Sequence, residues 1–149
     1  MPTPDDLEAL RELSDRYASG ADRRDSALYV SAFLPTGRLY IHRPADAPAL
    51  SQRHGHESLA KVTGLLGERY DLTFHFLGNR FYEVAPDAQT ATGDVYCIAH
   101  HITHATSTDH VMHIRYEDQY ARNDAGEWRI EERRFRLLFT ETRPIDAPS

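Results

Sequence analysis

The chain has 149 residues, 40% of them hydrophobic, which is enough for one domain with a core of ordinary size. A formal net charge of −6 and scattered arginines exclude a broad nucleic-acid surface, because phosphates need clustered cations. No apolar run approaches the ~18 residues that cross a membrane, and no basic region followed by an apolar one opens the chain. A lone cysteine, Cys97, rules out an internal disulfide framework and suits a reducing compartment, so the expected location is the cytoplasm.

The opening TPDDLEALRELSDRYASGAD carries helix-start chemistry: Thr3 as N-cap, Pro4 at the first helical position, and Asp5 and Asp6 in the first turn. Leu7, Leu10, Ser14, Tyr17 and Ala21 recur at helical spacing, which assigns Tyr17 to the buried stripe. A second, short helix is expected over Ser26–Leu34, ending before Pro35. GRLYIH (37–42) reads as a strand, the Pro- and Ala-rich stretch 43–53 as a loop, and Glu57–Gly67 as a helix.

From there the period changes to two. FHFLGNRFYEVAP, TATGDVYCIAHHITHAT, HVMHIRYEDQYARN and EWRIEERRFRLLFT each read as a strand, with turn signals between them. The closing TETRPIDAPS reads as a loose end, so one domain over 1–140 and a flexible tail over 141–149 are expected. Helices followed by a run of antiparallel strands is an α+β pattern. A strongly curved antiparallel sheet wrapped around the N-terminal helices makes a cone-shaped barrel whose open mouth can hold a small apolar ligand.

His75 is the odd residue of LTFHFLGN: a titratable ring between Phe74 and Phe76. At an inward strand position it stands inside such a cone. An unperturbed histidine titrates at ~6.5 and is ready to accept a proton near neutrality. A carboxylate on its other ring nitrogen fixes the tautomer and stabilises the imidazolium that forms. The acids available are Asp22 and Asp25 in GADRRD, at the end of the first helix. Helix spacing favours Asp22, which follows Ala21 on the inward stripe, while Asp25 suits the N-cap of the next helix. Read singly, His75 is a core histidine and ADRRD a solvated charge run; only as a pair do they make a base.

Nine histidines, five of them between His100 and His113, also invite a metal reading. Neighbours His100 and His101 point to opposite faces of a strand and cannot chelate together. No carboxylate or cysteine triad accompanies them, so no metal is expected, and no phosphate loop, nucleophile elbow or dinucleotide fingerprint calls for a cofactor.

In order, LRELSDRYASGADRRD, FLPTGRLY, TFHFLGN, ATGDVYC and YEDQYARNDAGEWRIEERR resemble a SnoaL-like member of the nuclear-transport-factor-2-like superfamily. The resemblance covers nearly the whole chain. It implies the cone-shaped α+β barrel (the cystatin-like fold) and points towards scytalone dehydratase, bile-acid dehydratase and hexachlorocyclohexane dehydrochlorinase. In those lyases an aspartate at the end of the first long helix and a histidine on the first long strand form the catalytic pair. Their segments match GADRR and TFHFLGN, which puts the pair on Asp22 and His75. The resemblance further implies His101 as a cavity histidine, Arg133 just after the WRI-type motif, Tyr17 where the dehydrochlorinase has a lysine, and Tyr116 on a later cavity strand. Ala21, Ile41 and Ile114, with Tyr116, stand where scytalone dehydratase has polar groups, so the means of holding a leaving group differs.

The expected activity is a cofactor-independent lyase, a dehydratase or related elimination on a small hydrophobic, polyketide-, terpenoid- or steroid-like molecule. His75 takes the proton, Asp22 orients it, and His101, Arg133 or Tyr17 stabilises the leaving group or an enolate. An isomerase or cyclase would use the same base without losing a group. A non-catalytic ligand carrier or structural subunit is a third reading, since a fold alone does not fix an activity. Aromatic residues along RFYE and FRLLF lead to an expected homodimer or homotrimer.

Overall fold

The computed structural model describes residues 2–146. Helix α1 (Pro4–Arg23) starts as its sequence dictates: the Thr3 hydroxyl accepts from the Asp6 amide and Asp6 closes the capping box. Such a cap is worth ~1 kcal/mol. Asp6 also accepts from Trp128 Nε1 at 2.9 Å and Arg122 Nη2 at 2.8 Å, pinning the start of the helix to the far end of the sheet. These hydrogen bonds, that from Trp128 foremost, hold its carboxyl well below the usual range.

Helix α2 (Ser26–Ser31) is capped by Asp25, which accepts from the Leu28 amide. It crosses α1 at Gly20, where a Cβ would stand 2.5 Å from the Tyr29 amide nitrogen. Any larger residue would push the two helices apart and carry Asp22 with them.

Strands β1 (Phe33–His42) and β2 (Ala49–His54) precede helix α3 (Gly55–Arg69). The chain then forms β3 (Leu72–Val84), β4 (Thr90–Thr103), β5 (Thr108–Arg122) and β6 (Trp128–Pro144). One six-stranded sheet results, in the order β2-β1-β6-β5-β4-β3. Its pairs are antiparallel except β1 with β6, which is parallel. The curved sheet closes around α1 and its companions as a cone. Leu10, Leu13, Tyr29, Phe33, Val95 and Ile130 form the core between helix and sheet.

Three boundaries differ from the sequence expectation, each for a backbone reason. The second helix stops at Ser31, and Leu34 and Pro35 belong to β1. Pairing with β6 lapses between Phe33 and Arg38, so the proline, which has no N–H to give, sits where no ladder bond is needed. The stretch 43–53 is not all loop, because 49–54 pairs with β1 as an edge strand. Its residues are almost all exposed and show no alternation to read. The tail expected from 141 is also corrected: β6 pairs with β5 as far as Pro144, and the Ile145 amide donates to Ser107. Residues 141–144 complete the ladder that the start of β5 requires. The remainder of that expected tail, 147–149, lies outside the described residues.

Among the described residues no helix is long and apolar enough to cross a membrane.

Candidate active site

Alternation along β3 decides what His75 does. Phe74 and Phe76 turn outward, 53% and 60% exposed, while Thr73, His75 and Leu77 face inward. The last turn of α1 crosses this inner face and brings Asp22 to the ring. His75 Nδ1 donates to Asp22 Oδ1 at 2.6 Å, and the His75 amide donates to Oδ2 at 2.9 Å. One carboxylate therefore fixes both the backbone and the ring of the same residue.

Two residues that sequence reasoning passed over complete the arrangement. Thr73 Oγ1 donates to Asp22 Oδ1 at 3.0 Å and accepts from Arg24 Nη1 at 2.7 Å. Arg24, left-handed at φ 57°, caps α1 and also donates to the Ala21 carbonyl. Thr73 was findable, since it lies two residues before His75 on the same strand face. Arg24 was not, because ADRRD reads as a charge run until the cap turns one arginine back. Burial pushes the Asp22 carboxyl up, but the His75 ring, its charge when protonated, its amide and Thr73 together outweigh burial and hold the group below its ordinary value. Asp22 stays ionised, and its hydrogen bond puts the imidazole proton on Nδ1. His75 Nε2 is left as the free nitrogen of a ring whose side chain is only 7% exposed.

That ring lines a cavity of about 390 Å³, within the ~300–1,000 Å³ range of small-molecule sites. Leu39, Ile41, Val62, Leu66, Met112 and Phe135 supply an apolar wall. Tyr17 and Tyr29, with ring centroids 4.7 Å apart, close one side. Arg43, Arg53 and Arg69 also reach the lining, and nothing in the sequence marked them.

His101 lines the same cavity, its ring 6.1 Å from that of His75 and edge-on. Its Nδ1 donates to the His110 carbonyl at 3.0 Å, so Nε2 is bare. Burial lowers its pKa to about 4, so the ring is neutral near pH 7. In that form it accepts a hydrogen bond and has no proton to give to an oxyanion. The sequence expectation of a donor is corrected on this point. The adjacent His100 faces outward and donates to Asp109 at 2.5 Å, a second acid–imidazole pair that lies outside this cavity.

Two further expectations need correction. Arg133 and Tyr116 do not line the cavity; both are fully buried behind it. The β5–β6 register sets Arg133 opposite Asp118, which takes Nε at 2.8 Å and Nη2 at 2.7 Å, and Ser14 also accepts from Nη2. The guanidinium is stacked between the rings of Tyr17 and Tyr116, 4.4 and 4.2 Å from their centroids. Burial opposes its charge, but Asp118 overrules burial and keeps the arginine ionised. Arg133 is a structural ion pair, and Tyr116 is its aromatic cover. Among the described residues no group of histidine, cysteine and acidic side chains is arranged to hold a metal ion.

A cone-shaped α+β barrel with an acid–imidazole pair opening onto an apolar cavity defines the class: a nuclear-transport-factor-2-like protein with a built interior site. Within that class the chain belongs to the SnoaL-like domain family, whose model matches residues 3–134. No functionally curated protein matches its sequence. Among solved structures it is similar to hexachlorocyclohexane dehydrochlorinase LinA-type3 from Novosphingobium barchaimii, at 15% identity and a TM-score of 0.82, over 96% of this chain and 94% of that one. It is similar to a scytalone dehydratase candidate from Novosphingobium aromaticivorans, at 17% identity and a TM-score of 0.76, over 96% and 91% of the two chains. A protein from Kribbella flavida, at 15% identity and a TM-score of 0.78 over 92% and 93%, shares the same architecture. At these identities the likeness establishes the fold.

Proposed function

We propose that the protein is a cofactor-independent lyase that removes an acidic C–H proton from a small hydrophobic molecule and expels water or another leaving group. The observation that carries this reading is the 2.6 Å contact from His75 Nδ1 to Asp22, on a ring that lines the cavity. Nε2 takes the proton, and Asp22 balances the imidazolium charge as it forms. The apolar wall keeps water away from the base and strengthens that charge interaction. Two structural relatives, a dehydrochlorinase and a dehydratase candidate, are named for eliminations, which supports this chemistry.

A second reading is supported by one observation. His101 has no proton to donate and Arg133 is committed to Asp118, so neither assists a departing group. An isomerase or cyclase, which shifts a proton and keeps its mass, needs no donor to a leaving group, although its enolate oxygen still needs stabilising.

A library of hydroxy-ketones, polyketide-like ketones and halogenated hydrocarbons, followed by mass spectrometry, separates the two. The lyase gives a product lighter by water or halide; the isomerase or cyclase gives one of unchanged mass. Asp22→Asn and His75→Ala are each expected to slow turnover by ~10²–10⁴-fold with the fold retained. Full turnover in both variants would remove the proposal.

A further inference from the structure

The cavity has a charge opposite to that of the protein. The chain carries a formal net charge of −6, yet Asp and Glu are absent from the cavity lining and Arg43, Arg53 and Arg69 are present. They come from separate places: just past the end of β1, on β2, and in the last turn of α3. Three consecutive segments of the chain thus bring guanidinium groups to one opening.

None of the three has an acidic partner among the described residues. Ten other arginines do, from Arg16 with Glu12 to Arg143 with Glu141. Among the described residues Arg11, Arg23 and Arg24 lack one too, but only Arg43, Arg53 and Arg69 gather around a single apolar hollow. The contacts of these three within the protein are slight. Arg43 reaches the Met112 sulfur at 3.6 Å and lies 5.6 Å from the Phe135 ring centroid, while Arg53 donates to the Ser58 carbonyl at 3.1 Å. A guanidinium has five N–H donors in a planar fork, so most of this capacity is unused. Arg43 and Arg69 are exposed and Arg53 half-buried, whereas the His75 side chain is only 7% exposed. The charge sits at the mouth and the base sits deep.

We propose that the cavity binds an amphipathic carboxylic acid: Arg43, Arg53 and Arg69 hold its carboxylate at the mouth, and its apolar body runs inward to present a C–H to His75. The inference rests on the cavity being the substrate site, and it supplies what the lyase reading lacks, a polar handle on a hydrophobic substrate. A guanidinium grips a carboxylate through two parallel hydrogen bonds, which fixes orientation as well as adding affinity. Against an acidic protein surface, a basic mouth also steers anions inward. The carboxylate stays remote from the reacting carbon, so its binding energy serves to position the C–H against Nε2.

The test is calorimetric titration of the His75→Ala protein, in which turnover is expected to be slowed, with 1-naphthaleneacetate and with its neutral isostere 1-naphthaleneacetamide. The acid is expected to bind about tenfold more tightly or better, as charged hydrogen bonds imply. That margin should shrink as salt screens the mouth. Arg43→Gln, Arg53→Gln and Arg69→Gln, each in that background, should weaken the acid several-fold and leave the amide unchanged. Unchanged amide binding also shows that each variant is folded. No measurable binding of the acid, equal affinity for acid and amide, or parallel losses for both would overturn the proposal. The outcome is separable from the lyase test: acid preference survives in a protein without its base, and loss of the base leaves the arginines in place.

Discussion

Two inward-facing histidines share the cavity and differ in burial and in what meets Nδ1. For His75 it is a carboxylate, which stabilises the ring when it gains a proton. For His101 it is a backbone carbonyl in a buried setting, which does far less, and the pKa falls to about 4. The carboxylate partner makes the first ring the candidate base, and burial makes the second a neutral acceptor. That burial also has a thermodynamic consequence. The unfolded chain protonates His101 near ~6.5, so as pH falls below that value the unfolded state takes up a proton that the folded state refuses. Stability from this residue is complete above ~6.5 and is lost progressively as pH drops to about 4, where the loss levels off. At ~1.36 kcal/mol per pKa unit the loss reaches about 3 kcal/mol. Denaturant melts of the native protein and of His101→Gln across this range check it: the variant's curve should be flatter by roughly that amount.

At the scale of elements, the site depends on the exit of α1 and on the β5–β6 register. Gly20 lets α2 approach closely enough for the last turn of α1 to lie over β3, and Asp22 follows. Behind the cavity wall, Asp118 and Arg133 join β5 to β6 with both side chains wholly buried. Removing one partner leaves a buried charge uncompensated, which costs ~3–5 kcal/mol. Arg133→Met should therefore lower stability by about that much in urea titrations, and adding Asp118→Leu should recover a large part of it. An Arg133→Met protein of native stability but lost turnover would instead put Arg133 in the chemistry. The contrast with Asp22 and His75 shows what the sequence could yield. Both of those lie on strongly periodic segments, a helix stripe and an alternating strand, where position predicts direction. Arg133 lies on an equally clear strand, but its fate is set by what stands opposite. That depends on a register broken at Gln119 and Tyr120, which no local pattern reveals. The mouth arginines were hidden for a related reason. Edge strand β2 and the segment after β1 have no period, so nothing said that they bend over the same hollow.

Across the whole molecule, the outer face of the sheet divides in two. One half is charged and internally paired, with Arg136 on Glu117 and Arg134 on Glu132. The other is apolar: Leu72 is 49% exposed, Phe74 53%, Phe76 60%, Ile98 39% and Phe139 57%. His113 stacks on Phe139 at 3.9 Å within this half. We propose this half as the contact of the homodimer or homotrimer expected from sequence, since a second copy would cover apolar surface with apolar surface and leave the paired charges at the rim. Light scattering coupled to size exclusion should find a dimer or trimer, and Phe76→Asp with Phe139→Asp should release monomers that keep their fold. A monomeric native protein would contradict that assembly.

The proposed chemistry turns on one proton: it sits on His75 Nδ1, held by an ionised Asp22, and leaves Nε2 bare inside the cavity. Long-range nitrogen–proton correlation NMR on imidazole-labelled protein near pH 7 reads this directly. A protonated Nδ1 and an unprotonated Nε2 are expected for His75, with Asp22→Asn disturbing that pattern and a ligand in the cavity shifting Nε2. A proton on Nε2, or a His75 signal indifferent to both the Asp22 substitution and the ligand, would contradict the proposed chemistry.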